Sequence, residues 1–351
     1  MKGKVKIGDR WVGEGEPCFI VAEIGINHSG DIDLAKQMVD VAIKCGVDAV
    51  KFQTFKAEEF VASAGGSYTY RSQGKEITES MYEMFKRYEF SREEWETILA
   101  YCKDRDITFF STPQNPSDLD FLLSLAKLPA IKVGSGDLTN LPLLRYYASK
   151  GLPMIVSTGM ATIGEIEDAV NTIKSTGNDD LIILHCVSSY PTDADEVNLK
   201  RIKTIEQAFH VIVGFSDHTI GPVAVIGAVA LGAKVIEKHF TLGRDLPGPD
   251  HWFSADPREL RGLVEDVRLI EKGLGSSVIT PTQKEWRMRD IARRSIVAKR
   301  DIDKGDIISE DMLTLKRPGT GLPPKFIEYV LGKEARIFIK KDELIDFNKV
   351  G

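Results

Sequence analysis

Cysteine is scarce in this sequence, with four in 351 residues (Cys18, Cys45, Cys102, Cys186), far apart and never in a C-x-x-C pair. That spacing excludes a disulfide framework and a zinc ribbon, and predicts buried reduced thiols in a cytoplasmic protein. Long apolar runs are missing too. The longest near the start, Cys18 to Ala22, is too short to span a bilayer, and it lacks a basic flank or an export cleavage pattern. Positive charge is not in excess: 46 Lys and Arg stand against 52 Asp and Glu, a formal charge of -6. A general binder of nucleic acid or of a membrane surface would need a basic face, so neither partner is expected. An anionic substrate must instead be held by local lysines and helix ends. Low-complexity tracts are absent, and 42% hydrophobic with 28% charged residues describes an ordinary globular chain.

What the chain does contain is alternation. Short, nearly continuous apolar runs occur at Phe19–Glu23, Ala49–Gln53, Thr108–Ser111, Ile131–Val133, Met154–Ser157, Leu181–His185, Val211–Phe215 and Val235–Glu237. Such runs fit strands buried on both faces of a parallel sheet. Amphipathic stretches lie between them, among them Asp33–Lys44, Arg92–Asp104, Gly164–Ser175 and Pro222–Leu231, and Pro257–Leu274 follows the eighth. Eight strand–helix units predict an α/β fold, a (β/α)8 TIM barrel over residues 18–274. A doubly wound sheet would usually carry a Gly-rich dinucleotide turn after its first strand, and Gly25-x-x-x-x-Gly30 is not one. Residues 1–17 read as a hairpin, Val5–Ile7 and Trp11–Gly13, plugging the barrel bottom. Residues 275–292 read as a polar linker with some helix. A small module follows over 293–351, with β-like runs at Ser295–Ala298 and Arg336–Ile339. At about 60 residues it is near the lower limit for an independent fold, so it is expected to dock on another surface.

Functional groups in a barrel gather at the C-terminal ends of the strands. Here every strand end carries charged or hydroxyl groups: Glu23 with Asn27 and His28, Lys51 with Gln53, Ser111 and Thr112, and Lys132 with Ser135 and Asp137. The later ends carry Ser157 and Thr158, His185 with Ser188 and Tyr190, Ser216 with His218, and Glu237 with His239. Lys51 and Lys132 with the hydroxyls of Thr112, Ser135, Ser157 and Ser216 describe an oxyanion cradle suited to a phosphate with an adjacent carboxylate. Lys132 alone would also suit a Schiff-base aldolase. His218 and His239 end neighbouring strands, and such a pair is a candidate divalent-metal site completed by water or substrate. His251, after Gly248-Pro249-Asp250, is a candidate substrate contact, whereas His210 is expected at the surface.

Several of these segments resemble the sialic acid synthase family: Ala22-Glu23-Ile24-Gly25-Ile26-Asn27-His28, Lys132-Val133-Gly134-Ser135-Gly136, Gly214-Phe215-Ser216-Asp217-His218-Thr219, Glu237-Lys238-His239-Phe240 and Pro247-Gly248-Pro249-Asp250-His251. Ser295-Ile296-Val297-Ala298 and Lys316-Arg317-Pro318-Gly319 resemble its antifreeze-like (SAF) domain, a β-clip-like fold. The resemblance covers essentially the whole chain. It implies a phosphoenolpyruvate-dependent transferase joining that substrate to an open-chain N-acyl mannosamine-type sugar, with C–O cleavage and release of phosphate. The product would be N-acetylneuraminate or legionaminate. By the same resemblance His218 and His239 hold manganese (or magnesium or cobalt), and Glu23 is the base for water. Lys51, Gln53, Thr112, Lys132, Ser135, Ser157 and Ser216 contact phosphoenolpyruvate, and Asp137, Ser188, Tyr190 and Asp250 contact the sugar. Arg317 is lent to the sugar site of a partner subunit, which implies a domain-swapped homodimer. Asp137 stands where some members carry Glu, and Ser188 where others carry Asn; by the resemblance both positions face the sugar. The competing readings are a class I aldolase and a non-catalytic carbohydrate- or ice-binding protein built around the small module.

Overall fold

Residues 3–62 and 65–351 are described by the computed structural model, which divides the chain into two units, Met1–Gly275 and Ser276–Gly351. The first unit opens with an antiparallel hairpin, β1 (Lys4–Ile7) and β2 (Arg10–Gly13). The chain continues through β3 (Phe19–Gly25) and β4 (Ala49–Thr54) into a second hairpin, β5 (Ser67–Ser72) and β6 (Lys75–Ser80). Six further strands follow: β7 (Thr108–Pro113), β8 (Ile131–Val133), β9 (Met154–Ser157), β10 (Leu181–Cys186), β11 (Ile212–Asp217) and β12 (Val235–His239).

Eight of these strands form one parallel sheet in the order β7-β4-β3-β12-β11-β10-β9-β8. Its two end strands lie against each other, so the sheet curls nearly into a closed barrel with helices alternating around it. This is the predicted (β/α)8 architecture. Each predicted barrel strand is present, and the helix Pro257–Leu274 begins and ends where the sequence places it. Helix starts follow local chemistry. Ser91 with Glu94, Thr162 with Glu165 and Asp256 with Glu259 form reciprocal capping boxes, satisfying amide groups that the first turn leaves unpaired.

Side chains alternate between the two faces of a strand, and this period of two separates two cores. Outward-facing residues such as Ile20, Val50, Val133 and Val156 pack against the helices. Inward-facing residues Phe19, Val21, Ala49, Phe110, Ala130, Ile155, Ile182, Leu184, Ile212 and Val235 fill the lower barrel, together with Val5, Ile7 and Val12 of the first hairpin. The hairpin thus plugs the barrel bottom, as expected. Among the described residues no helix is long and apolar enough to cross a membrane.

The hairpin β5–β6 and the helix Met81–Tyr88 after it were not anticipated. Most residues of both strands are exposed, so they carry no apolar alternation to read.

The second unit contains the helix Gln283–Ala292, β13 (Ser295–Ala298) and β14 (Leu313–Lys316), paired antiparallel. It has a small core of its own, including Ile296, Ile302, Ile308, Leu313, Ile339, Ile345 and Val350. The β-like run Arg336–Ile339 is corrected. It forms no regular strand, and its surroundings are held by isolated bridges, Ile302 with Ile339 and Ala335 with Val350. Ala335 and Ile339 are buried, while the three residues between them, Arg336, Ile337 and Phe338, are exposed, so the period of two that a strand needs is missing.

Candidate active site

The inward rows do not stay apolar. One step beyond Val21, Ala49, Ile155, Leu184 and Val235, the same alternation points Glu23, Lys51, Ser157, Cys186 and Glu237 into the barrel mouth. Sheet register sets them side by side: Lys51 is opposite Glu23, Glu23 opposite His239, and Ser216 opposite Glu237. A cavity of about 560 Å³ opens over this layer. It is lined by Glu23, Lys51, Gln53, Thr112, Lys132, Ser135, Asp137, Ser157, Ser188, Tyr190, Ser216, His218, Glu237 and His239. The fold therefore brings together, from all eight strand ends, nearly every residue singled out in the sequence.

Charge dominates the floor. Lys51 Nζ lies 2.7 Å from Glu23 Oε2, donates to Thr112 Oγ1 at 2.9 Å, and lies 3.8 Å from Glu237 Oε1. Lys132 Nζ donates to Ser157 Oγ at 2.8 Å and to the Val133 carbonyl at 3.0 Å, with Glu237 Oε1 at 3.6 Å. Ser216 Oγ donates to the same Glu237 oxygen at 3.2 Å, and Gln53 Nε2 to Glu23 Oε1 at 3.2 Å. All four ionisable groups are buried. Each buried charge would be costly alone, so two ammoniums are matched by two carboxylates. Burial pushes the Glu23 carboxyl up, against the pull of Lys51 and with a push from Glu237. Glu237 faces the same burial, but Lys132 and Lys51 hold it below the usual carboxylate range. Burial lowers Lys132, whereas for Lys51 the neighbouring Glu23 and Glu237 outweigh burial and raise it. Sequence reasoning placed Glu237 among the polar strand ends but gave it no role, and it did not single out Cys186. The signal for Glu237 was its place two residues before His239, on the same strand face.

Two glycines allow the close approaches. Gly25 follows Glu23 at a bulge with φ +56°, and a Cβ there would meet Glu23 Oε1 at 3.0 Å. At Gly159 a Cβ would fall 2.2 Å from Ser188 Oγ and 2.8 Å from Ser135 Oγ. Its bare backbone N–H instead donates to Ser135 Oγ at 2.9 Å.

The histidines sort themselves by partner. The ring centres of His218 and His239 are 5.4 Å apart, and both rings border the cavity. His218 Nδ1 is 2.7 Å from the Val187 carbonyl and 3.9 Å from Cys186 Sγ. Burial and the adjacent His218 hold His239 well below its ordinary value, so it is a neutral imidazole. Among the described residues its buried Nδ1 has no hydrogen-bond partner, and Asp250 Oδ2 lies 3.7 Å away. Burial and the charge of Glu23 push the Asp250 carboxyl up to about 7. The donor set of two imidazoles, one with an orphaned nitrogen, fits an open divalent site with positions left for water or substrate. Among the described residues no group of three or more His, Cys, Asp or Glu converges as a closed metal cage. The loop bearing His218 is held by Asp217, which accepts from the Thr219 N–H at 2.9 Å and pairs with buried Lys238 at 2.5 Å.

The remaining histidines are structural. His28 accepts from the Gly30 N–H at 3.1 Å and packs on Phe90, and His185 bonds the Val197 carbonyl at 2.6 Å. His251, considered a substrate contact, is buried and bonds Thr241 Oγ1 at 2.7 Å, fixing the loop that carries Asp250. His210 is exposed, as expected. Arg317 is an exposed residue of the second unit, immediately after β14.

Residues 38–279 match the NeuB family and residues 293–351 the SAF domain. The chain belongs to the NeuB family. This member is 43% identical to the N,N'-diacetyllegionaminic acid synthase of Legionella pneumophila, over 91% of each chain. It is 38% identical to the N-acetylneuraminate-9-phosphate synthase of Homo sapiens, over 96% of this chain and 93% of that one. A solved N-acetylneuraminic acid synthetase from Leptospira borgpetersenii superposes with a TM-score of 0.73 at 34% identity, covering 81% of this chain and 94% of that one.

Proposed function

We propose that this NeuB family member condenses phosphoenolpyruvate with an open-chain N-acyl mannosamine-type sugar, giving a nonulosonic acid of the neuraminate or legionaminate type and inorganic phosphate. The observation that carries the reading is the buried Lys51–Glu23–Glu237–Lys132 constellation beside the His218–His239 pair in one cavity. The floor sets two ammoniums against two carboxylates, with Lys51 paired to Glu23 and both lysines facing Glu237. Lys51 and Lys132 then face phosphoenolpyruvate as ammoniums, with Thr112, Ser135, Ser157, Ser216 and Gln53 as further polar contacts.

In the reaction, C3 of phosphoenolpyruvate forms the new bond to the aldehyde carbon, water adds at C2, and the C2–O bond to phosphate breaks. Glu23 moves the proton of that water. Asp137, Ser188, Tyr190 and Asp250 orient the sugar. A divalent ion, manganese foremost, held by His218 and His239, would supply Lewis acidity to the aldehyde oxygen. Arg317 would complete the sugar site of a second copy of the chain, making the working form a homodimer.

A Schiff-base reading draws on the lowered Lys132. That lysine, however, already donates to Ser157 Oγ and the Val133 carbonyl while facing Glu237, a pattern suited to an ammonium and not to a free amine. Phosphate release with a panel of N-acyl hexosamines tests the proposal, run in 18O-labelled water. Cleavage of the C2–O bond leaves the released phosphate unlabelled. Labelled phosphate, or a borohydride-trapped adduct on Lys132, would overturn it.

A further inference from the structure

The residues that precede the two cavity histidines face each other across the sheet. Asp217 of β11 is the register partner of Lys238 of β12, and His218 and His239 come next in the chain. Side chains alternate along a strand, so Glu237 and His239 point into the barrel mouth while Lys238 points out of it. Lys238 borders a separate cavity of about 370 Å³ beside the helix Pro257–Leu274, with Asp256, Glu259 and Asp266 among its other walls. The proposed condensation gives this lysine no task.

Its head group is nonetheless fully engaged. Lys238 Nζ donates to Asp217 Oδ2 at 2.5 Å, to the Thr219 carbonyl, and to the Gly221 carbonyl at 3.4 Å, so three N–H donors meet three acceptors. Asp217 in turn accepts from the Thr219 N–H at 2.9 Å and from Thr219 Oγ1 at 3.2 Å. Both ionic side chains are buried, Lys238 at 3% exposure and Asp217 at 0%. A buried ion pair is often no more stabilising than an apolar pair of similar volume, whereas its directional bonds fix one geometry. On the inner face Ser216 Oγ donates to Glu237 Oε1 at 3.2 Å, so the two strand ends are tied on both faces just below the histidines.

We infer that Lys238 is a positioning residue for the His218–His239 pair, an internal cation that locks the end of β11, the turn 219–221 and the end of β12 to one another. The inference rests on the proposed divalent-ion role of the two histidines. The side chain before each histidine is anchored to the other, so neither backbone can swing its ring out of the cavity without breaking the ion pair.

Manganese binding to the chelator-treated, full-length protein is measured by calorimetric titration, apart from turnover. Lys238→Ala should weaken it about 10- to 100-fold, the usual effect of releasing groups that orient a ligating histidine. That substitution removes the equivalent of one propylammonium ion, and the 370 Å³ cavity borders the space it leaves. Propylammonium should therefore restore much of the manganese affinity. Tetramethylammonium, which is broader and has no N–H donor, should not. The double variant Asp217→Asn with Lys238→Met removes both charges at nearly constant volume, so no unpaired buried charge threatens the fold. Its urea midpoint should stay near that of the unsubstituted protein while its manganese affinity falls as in Lys238→Ala. Unchanged manganese affinity in either variant, or equal effects of the two ammonium ions, overturns the inference. Failure of the unsubstituted protein to bind manganese sinks the metal reading itself, whereas tight binding that Lys238→Ala leaves intact sinks only the role of Lys238.

Discussion

One carboxylate oxygen of Glu237 lies 3.6 Å from the Lys132 ammonium, with both groups buried in the barrel mouth. Glu237 is the largest influence holding Lys132 charged against burial. In Glu237→Gln that support is lost, and the Lys132 pKa falls further. The ammonium then deprotonates at lower pH, so the alkaline limb of kcat/KM for phosphoenolpyruvate should move downward. An unmoved limb in an otherwise folded variant would detach Lys132 from substrate binding.

Lys51 and Glu23 divide binding from proton transfer. Lys132→Ala and Lys51→Ala should each raise the KM for phosphoenolpyruvate roughly ten- to hundredfold, the effect of losing a charge-assisted contact of about 1.5–3 kcal/mol. Glu23→Gln keeps the shape and leaves the floor one charge more positive. It should lower kcat by about 100- to 10,000-fold without raising that KM. Equal effects of all three substitutions on KM would contradict this division.

The orphaned Nδ1 of His239 and the 5.4 Å between the ring centres of His239 and His218 lead to a metal test. Chelator-treated protein should lose activity and regain it with manganese, magnesium or cobalt. His218→Ala and His239→Ala should prevent recovery at ordinary metal concentrations. Full turnover by the chelated protein would remove the histidine pair from catalysis.

Arg317 tests assembly. Arg317→Ala should impair use of the sugar while sparing phosphoenolpyruvate binding. Mixing it with Glu23→Ala under conditions of proven subunit exchange should restore part of the activity, because one site of each mixed dimer then carries neither defect. Exchange without rescue would exclude a contribution from a partner subunit.

Legibility in the sequence followed burial. The barrel strands are buried on both faces and therefore read as continuous apolar runs, and the polar residues that end them marked the cavity before any coordinates. Phe19, Val21 and Glu23 show the transition within one strand face. The hairpin β5–β6 was invisible because most of its residues are exposed, Tyr68, Thr69 and Arg71 among them, and only Tyr70 and Glu79 are half-buried and Ser72 buried. His251 was misjudged for a different reason. A histidine beside Asp250 looks reactive in one dimension, whereas its bond to Thr241 Oγ1 depends on a loop folding back ten residues. Cys186 gave no signal because a lone thiol in an apolar strand reads as core, and only the fold shows it 3.9 Å from His218 Nδ1.

Two of those structural histidines weaken the fold in acid. Burial lowers His28 to about 3 and His251 to about 4, both below the ordinary 6.5. The folded form therefore refuses a proton that the unfolded chain accepts once pH drops below about 6.5. The stability each contributes is fully present above that value and is lost as pH falls towards the folded-state pKa. By pH 5 each histidine should cost about 2 kcal/mol relative to neutral pH, at about 1.4 kcal/mol per unit. Urea midpoints measured from pH 7.5 to 5 should decline accordingly. His251→Gln, which retains a hydrogen-bonding partner for Thr241 but cannot titrate, should start from a lower midpoint at pH 7.5 and decline less steeply. A slope equal to that of the unsubstituted protein would show that His251 charges freely in the folded state and is not held neutral by burial.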